Sequence, residues 1–166
     1  AGEGGTQKGG FGVIIVQGGD GGNDENAFEV MQGWGQVTTN KASPVYIGAT
    51  EHTNNTAELT ALAEAMCWLL DEDAAPNKRV LLRPDSEYAA AVATGLNTTT
   101  KNNDLCAVVR SLYKALITQR SGQVNWAHVK GHSKHKWNDI VDELATKGAT
   151  CGEYGSGMPG TRWDAA

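Results

Sequence analysis

The sequence predicts an α/β fold: a mixed five-stranded sheet, three antiparallel strands followed by strand–helix units, with helices on both faces. Two observations predict it. Short β-branched runs separated by glycine-rich turns fill the first third of the chain, which favours an antiparallel meander. From Asn55 onward apolar residues recur at three- and four-residue spacing, interrupted by two short apolar runs, which is strand–helix alternation. The chain has 166 residues, enough for one continuous core, and its 40% apolar and 20% charged residues are an ordinary globular balance.

The elements follow in order. Phe11 to Gln17, FGVIIVQ, is the first strand after a glycine-rich entry, and QGGDGGNDEN supplies a turn. Ala27 to Val37 and Pro44 to Ala49 are the second and third strands. Leu59, Leu62, Met66 and Leu69 mark an amphipathic helix from Asn55 to about Leu70. Val80 to Leu82 form a short buried strand that ends at Arg83-Pro84-Asp85, and Ser86 to Thr94 form a helix stopped by Gly95. Asp104 to Gln119 form the next helix, with Leu105, Val108, Val109, Leu112 and Leu116 on one face. Val124 to Val129 alternate as a strand; Asn138 is the expected N-cap of a last helix that Gly148 terminates. The expected domain is 1–148, with 149–166 a glycine-rich and polar C-terminal tail.

Composition narrows the function classes. No apolar run reaches the roughly 20 residues needed to cross a bilayer, so no membrane partner is expected. The first ten residues do not read as a signal peptide. Cys67, Cys106 and Cys151 are odd in number and widely spaced, which fits neither a disulfide framework nor zinc ligation and points to a reducing, intracellular compartment, cytoplasm or nucleus. The net charge of −5 conceals an asymmetry. Residues 1–100 hold 5 Lys or Arg against 13 Asp or Glu, whereas residues 101–147 hold 8 against 4, so a polyanion has one place to dock.

Three carboxylates fall at element boundaries: Glu58 in the first turns of its helix, Asp85 directly after a strand, and Asp142 early in the last helix. Singly, each could simply complement a helix dipole, worth about 0.3–1 kcal/mol. Together with an Asn-Asn pair and a Gly-His-X-X-His loop they suggest a site that holds an anion and a metal ion side by side.

The segments TNNTAEL, RPDSEYA and HVKGHSKHKWNDIVDELA resemble, in order, the successive signatures of type 1 ribonuclease H, including the ribonuclease H domains of retroelement reverse transcriptases. The last is the most specific, and the resemblance extends from about residue 1 to Gly148. It implies a ribonuclease H-like fold and an endonuclease that hydrolyses the RNA strand of RNA–DNA hybrids, leaving 5′-phosphate and 3′-hydroxyl ends. It implies two Mg²⁺ ions, with Mn²⁺ as a substitute, held by Glu58, Asp85, Asp142 and an acid of the first strand. In the family that acid is an Asp before a Gly-aromatic-Gly step; here Gly10-Phe11-Gly12 fits the step, and the acid is either Glu3 or an Asp upstream of Ala1.

By the same resemblance His132 assists proton transfer or product departure, Asn54 and Asn55 contact the RNA strand, Thr53 a DNA phosphate, and Asn138 lies beside the site. Lys130, Lys134 and Lys136 are placed to meet phosphates; His128 and His135 have no assigned role. The interval 95–103 is short and nearly uncharged where some relatives carry a basic protrusion, so isolated binding should be weak and salt-sensitive. That suits a domain tethered to a polymerase or another module. Two alternatives remain open: a catalytically weakened relative that only binds nucleic acid or serves as a structural module, and a related nuclease acting on double-stranded DNA or a 3′ end, which the Asn54-Asn55 pair disfavours.

Overall fold

In the computed structural model the described residues are 9–18, 26–71, 76–96, 101–127 and 136–151. The elements run β1 (Gly10–Gln17), β2 (Phe28–Gln36), α1 (Asn54–Asp71), β3 (Val80–Leu82), α2 (Glu87–Thr94), α3 (Asn103–Gln119), β4 (Val124–Trp126) and α4 (Lys136–Cys151). The α/β class holds. Among the described residues, however, the strands form two two-stranded sheets, β1 antiparallel to β2 and β3 parallel to β4, rather than one five-stranded sheet.

Side-chain alternation along β1 separates two layers. Phe11 and Val13 point into the main core, where Phe11 is 1% exposed beside Leu59, Leu62, Ala63 and Met66 of α1. Gly10 and Gly12 point the other way, at α4. A Cβ on Gly12 would stand 2.5 Å from the Val141 carbonyl oxygen, and one on Gly10 would overlap the Ala145 carbonyl. Directly paired residues of an antiparallel ladder share a face. Trp34 and Gln36, opposite Gly12 and Gly10, therefore also meet α4: the Lys147 ammonium sits 4.7 Å from the Trp34 ring centre, and Gln36 Nε2 donates to the Ala149 carbonyl at 3.1 Å. The β1–β2 ribbon is thus covered by α1 on one side and α4 on the other, while α3 packs on α1 and α2.

Three expectations are corrected. Pro44 to Ala49 is not a strand. Asn40 Oδ1 accepts from the Ala42 amide at 3.0 Å and Ser43 Oγ from the Val45 amide at 3.3 Å, while the Ser43 and Tyr46 amides bond to nearby carbonyls. These local bonds take the amides that a ladder would need. Ile47 and Ala49 are buried all the same, so the apolar alternation reported burial without strand pairing.

The last helix starts at Lys136, so Asn138 lies inside its first turn rather than capping it; Trp137, 7% exposed, anchors that extra turn in the protein. Nor does Gly148 end the helix, which continues to Cys151. A Cβ at Gly148 would overlap the Gly35 carbonyl, so this glycine permits contact between helix and strand backbones. The strand expected over Val124 to Val129 is seen over its first half, and Ala127 N extends the parallel pairing to Leu82 O at 2.9 Å; residues 128–135 lie outside the described ones.

Candidate active site

The end of β3 leads through Arg83 and Pro84 into Asp85, an exposed residue at the turn before α2. Ser86 stands at the N-cap of α2 in extended conformation, φ −132° and ψ 157°, yet its hydroxyl does not cap its own helix. It donates instead to Glu58 Oε2 at 2.6 Å, while the Ser86 backbone N–H donates to Glu58 Oε1 at 2.7 Å. Hydrogen bonds to an ionised carboxylate are among the stronger ones. Glu58, half-buried on α1, therefore ties the turn carrying Asp85 to the helix carrying the Asn-Asn pair. The resemblance pointed to Glu58 and Asp85 separately; the serine between them went unremarked because a Pro-Asp-Ser run reads first as a helix start.

Asp142 comes from α4, far along the chain, and is also exposed. Its carboxyl is raised above the ordinary aspartate range by partial desolvation first, then by the negative charges of Asp85 and Asp139. Water screens the Asp85 and Asp139 charges at this exposed side chain. The repulsion from Asp85 brings acids of β3's end and α4 into one electrostatic neighbourhood. Among the described residues no three His, Cys, Asp or Glu side chains stand close enough to hold a metal ion.

A small open cleft adjoins Asp85, lined by Pro84, Ser86, Glu87, Ala90, Trp126 and Ala127. Trp126 is held there by its indole N–H donating to the Tyr113 hydroxyl at 3.1 Å, with the rings 5.3 Å apart.

At the start of α1, Thr53 is the N-cap: its hydroxyl accepts from the Thr56 amide at 3.1 Å. Asn54 and Asn55 follow as the first helical residues, both exposed. Asn138 is half-buried in the first turn of α4. Beside it the Lys136 ammonium lies 4.4 Å from the Trp137 ring centre, so this lysine is engaged with an aromatic face. Glu3, His128, Lys130, His132, Lys134 and His135 lie outside the described residues. Sequence reasoning missed Asn102 and Thr56, which join this helix start to α3; the only signal was an Asn-Asn step ahead of a helix.

Comparison with known proteins shows the family. The RNase H family model matches residues 7–150. The chain is 32% identical to a ribonuclease H of Saccharopolyspora erythraea over 126 residues, covering 70% of this chain and 79% of that protein. It is 35% identical to a ribonuclease H of Orientia tsutsugamushi over 126 residues, covering 70% and 71%. Among solved structures, the crystal structure of LC9-RNase H1, a type 1 RNase H with the type 2 active-site motif, superposes with a TM-score of 0.50 at 17% identity, covering 95% of this chain and 79% of that one. That likeness concerns the fold. With a family match over nearly the whole described chain and relatives of 30% identity or more, the protein belongs to the RNase H family.

Proposed function

We propose that this protein hydrolyses the RNA strand of RNA–DNA hybrids with the help of two divalent metal ions, leaving 5′-phosphate and 3′-hydroxyl ends. The observation that carries the reading is the family match over residues 7–150, with Glu58 bound to the turn that bears Asp85. Crowded acids near a nucleic-acid surface are unfavourable unless cations join them.

The donor chemistry fits Mg²⁺, a hard cation that takes carboxylate oxygens and keeps several waters, and Mn²⁺ shares those preferences. Asp85 and the first-strand acid, either Glu3 or an Asp upstream of Ala1, would hold both ions, with Asp142 and Glu58 holding one each. Glu58 can do so while bonded to Ser86, because each carboxylate oxygen has a second lone pair. When bound, such ions supply activation of water and stabilisation of the departing 3′-oxygen.

The chain's own residues do the rest. Asn54 and Asn55 contact the RNA strand, where the 2′-hydroxyl distinguishes it from DNA. Thr53, Lys130 and Lys134 meet phosphates, Asn138 orders the edge of the site, and His132 handles a proton as product departs. Weak phosphate grip over 95–103 favours action within a larger assembly, such as a protein carrying a polymerase. The domain would run to the end of α4 at Cys151 rather than to Gly148, with the residues after it as tail. Cys67 and Cys106 are both buried, and the odd, widely spaced cysteines suit a reducing intracellular setting, cytoplasm or nucleus.

A second reading is kept open by Glu3, which stands where the family has an Asp: a weakened relative that binds nucleic acid or serves as a structural module. One experiment separates the two. Labelled RNA–DNA hybrid, RNA duplex and DNA duplex are each incubated with Mg²⁺, Mn²⁺ or EDTA. The nuclease reading expects metal-dependent loss of RNA from the hybrid alone, abolished by Asp85→Asn with an intact circular dichroism spectrum. Binding without cleavage, unchanged in Asp85→Asn, establishes the module.

A further inference from the structure

The entry to β1 is tied down at a single residue. Gly9, directly before the strand, stands one step beyond the Gly10–Gln36 pair, and its carbonyl accepts the Val37 amide at 2.8 Å. Residues that face each other in this way ordinarily exchange two bonds. Here the second donor turns elsewhere: the Gly9 N–H donates to His52 Nδ1 at 3.2 Å, from 43 positions away in sequence. His52 is half-buried and immediately precedes Thr53, the N-cap of α1. A Cβ on Gly9 would stand 3.8 Å from the Thr53 carbonyl oxygen, so the strand entry and the helix start touch. An imidazole nitrogen accepts a hydrogen bond only when it carries no proton, so this contact fixes the tautomer with the proton on Nε2.

The same end of β1 seats both acid-bearing helices. Gly10 and Gly12 meet the α4 backbone at Ala145 and Val141, on either side of Asp142. Phe11 packs in the core with Leu59 of α1, the neighbour of Glu58. Apolar packing holds the layers together but is non-directional, and it leaves a helix some freedom to slide along the strand. A hydrogen bond has a preferred length and direction. The His52 bond removes that freedom by fixing the approach to α1 against the approach to β1.

We propose that His52 is a positioning residue for the hydrolysis: by holding the start of α1 against the entry of β1, it sets the placement of Glu58 relative to Asp142. The proposal rests on the reading that these acids serve one metal-dependent site. Groups supplied by separate elements lose rate steeply when one element shifts, even where the altered residue lies away from the chemistry.

The test exploits the position of the accepting atom. Asparagine Oδ1 and histidine Nδ1 are both bonded to the γ-carbon, so His52→Asn keeps an acceptor where the Gly9 N–H points. His52→Gln carries its acceptor one atom further out, and His52→Leu has none. Cleavage of a labelled RNA–DNA hybrid is measured with Mg²⁺, and Mn²⁺ binding is measured by calorimetry without nucleic acid. In His52→Leu and His52→Gln, kcat should fall about tenfold with KM unchanged, and Mn²⁺ should bind more weakly. His52→Asn should restore both. Should His52→Leu not fold, the comparison of His52→Asn with His52→Gln decides. A lowered melting temperature with kcat and Mn²⁺ affinity unchanged overturns the proposal, as does an asparagine variant no better than the glutamine one. A wild type that cleaves nothing sinks the nuclease reading and this proposal together; wild-type cleavage that every variant retains sinks the proposal alone.

Discussion

The docking of α4 on the β1–β2 ribbon and the join between the starts of α1 and α3 are held by different physics. On the α4 side, backbone meets backbone: Gly10, Gly12 and Gly148 leave no room for a Cβ, and the contact is steric and apolar. At the start of α1 and α3 the contact is a set of directional bonds through Asn102, Thr50, Thr53 and Thr56. Packed backbones tolerate no added atom, whereas a buried polar network tolerates a change of shape but not the loss of a partner. Each side delivers one part of the site. The glycine side positions the helix of Asp142, and the polar side positions the helix of Asn54, Asn55 and Glu58.

That contrast can be broken experimentally, beginning with the largest effect. Gly148→Val forces α4 away from β2 and should lower stability by about 3 kcal/mol, read from the urea midpoint. If the variant melts like the wild type, the two backbones are not in contact. Thr56→Val keeps the volume but strands the Asn102 amide in a buried place, which should lower stability by about 2 kcal/mol in the same assay. Gly95→Ala sharpens the comparison. Nothing lies within 4 Å of a Cβ there, yet φ is +83°, so about 1 kcal/mol should be lost to backbone conformation alone.

The smallest effect has the opposite sign. Desolvation and the Asp85 and Asp139 charges raise the Asp142 carboxyl, so the native state keeps this proton to higher pH than the unfolded chain does. Ionisation therefore weakens the fold as pH rises from the ordinary aspartate range through the raised value, and the full penalty remains above it. Asp142→Asn should accordingly raise the melting temperature slightly at neutral pH without added metal. The gap to the wild type should close as pH falls through the raised value; a gap that widens on acidification would contradict the assignment.

Particular elements show what could be read in advance. Leu59, Leu62, Met66 and Leu69 placed α1 to within a residue at each end, because helical spacing is a local property. The same logic placed α3, which begins one residue earlier than expected and ends at Gln119 as expected. It failed at Gly148, since a glycine inside a helix and one that ends it look alike until the facing strand is known. It failed again over Pro44 to Ala49, where Asn40 and Ser43 compete locally for the backbone. In the site, the resemblance singled out Glu58, Asp85 and Asp142. The Ser86 clasp on Glu58 was not legible, because the two residues come from different helices.

Periodicity, caps and the ordered signatures therefore determined, without any coordinates, that this chain builds helices and strands of the RNase H kind. They act over a few residues, where the covalent chain itself sets the distances. Which glycines become contacts, which hydroxyls find a buried amide and how strongly Asp142 feels Asp85 were decided only by the path of the folded chain. Those quantities depend on separations of a few ångströms between residues that the sequence places far apart.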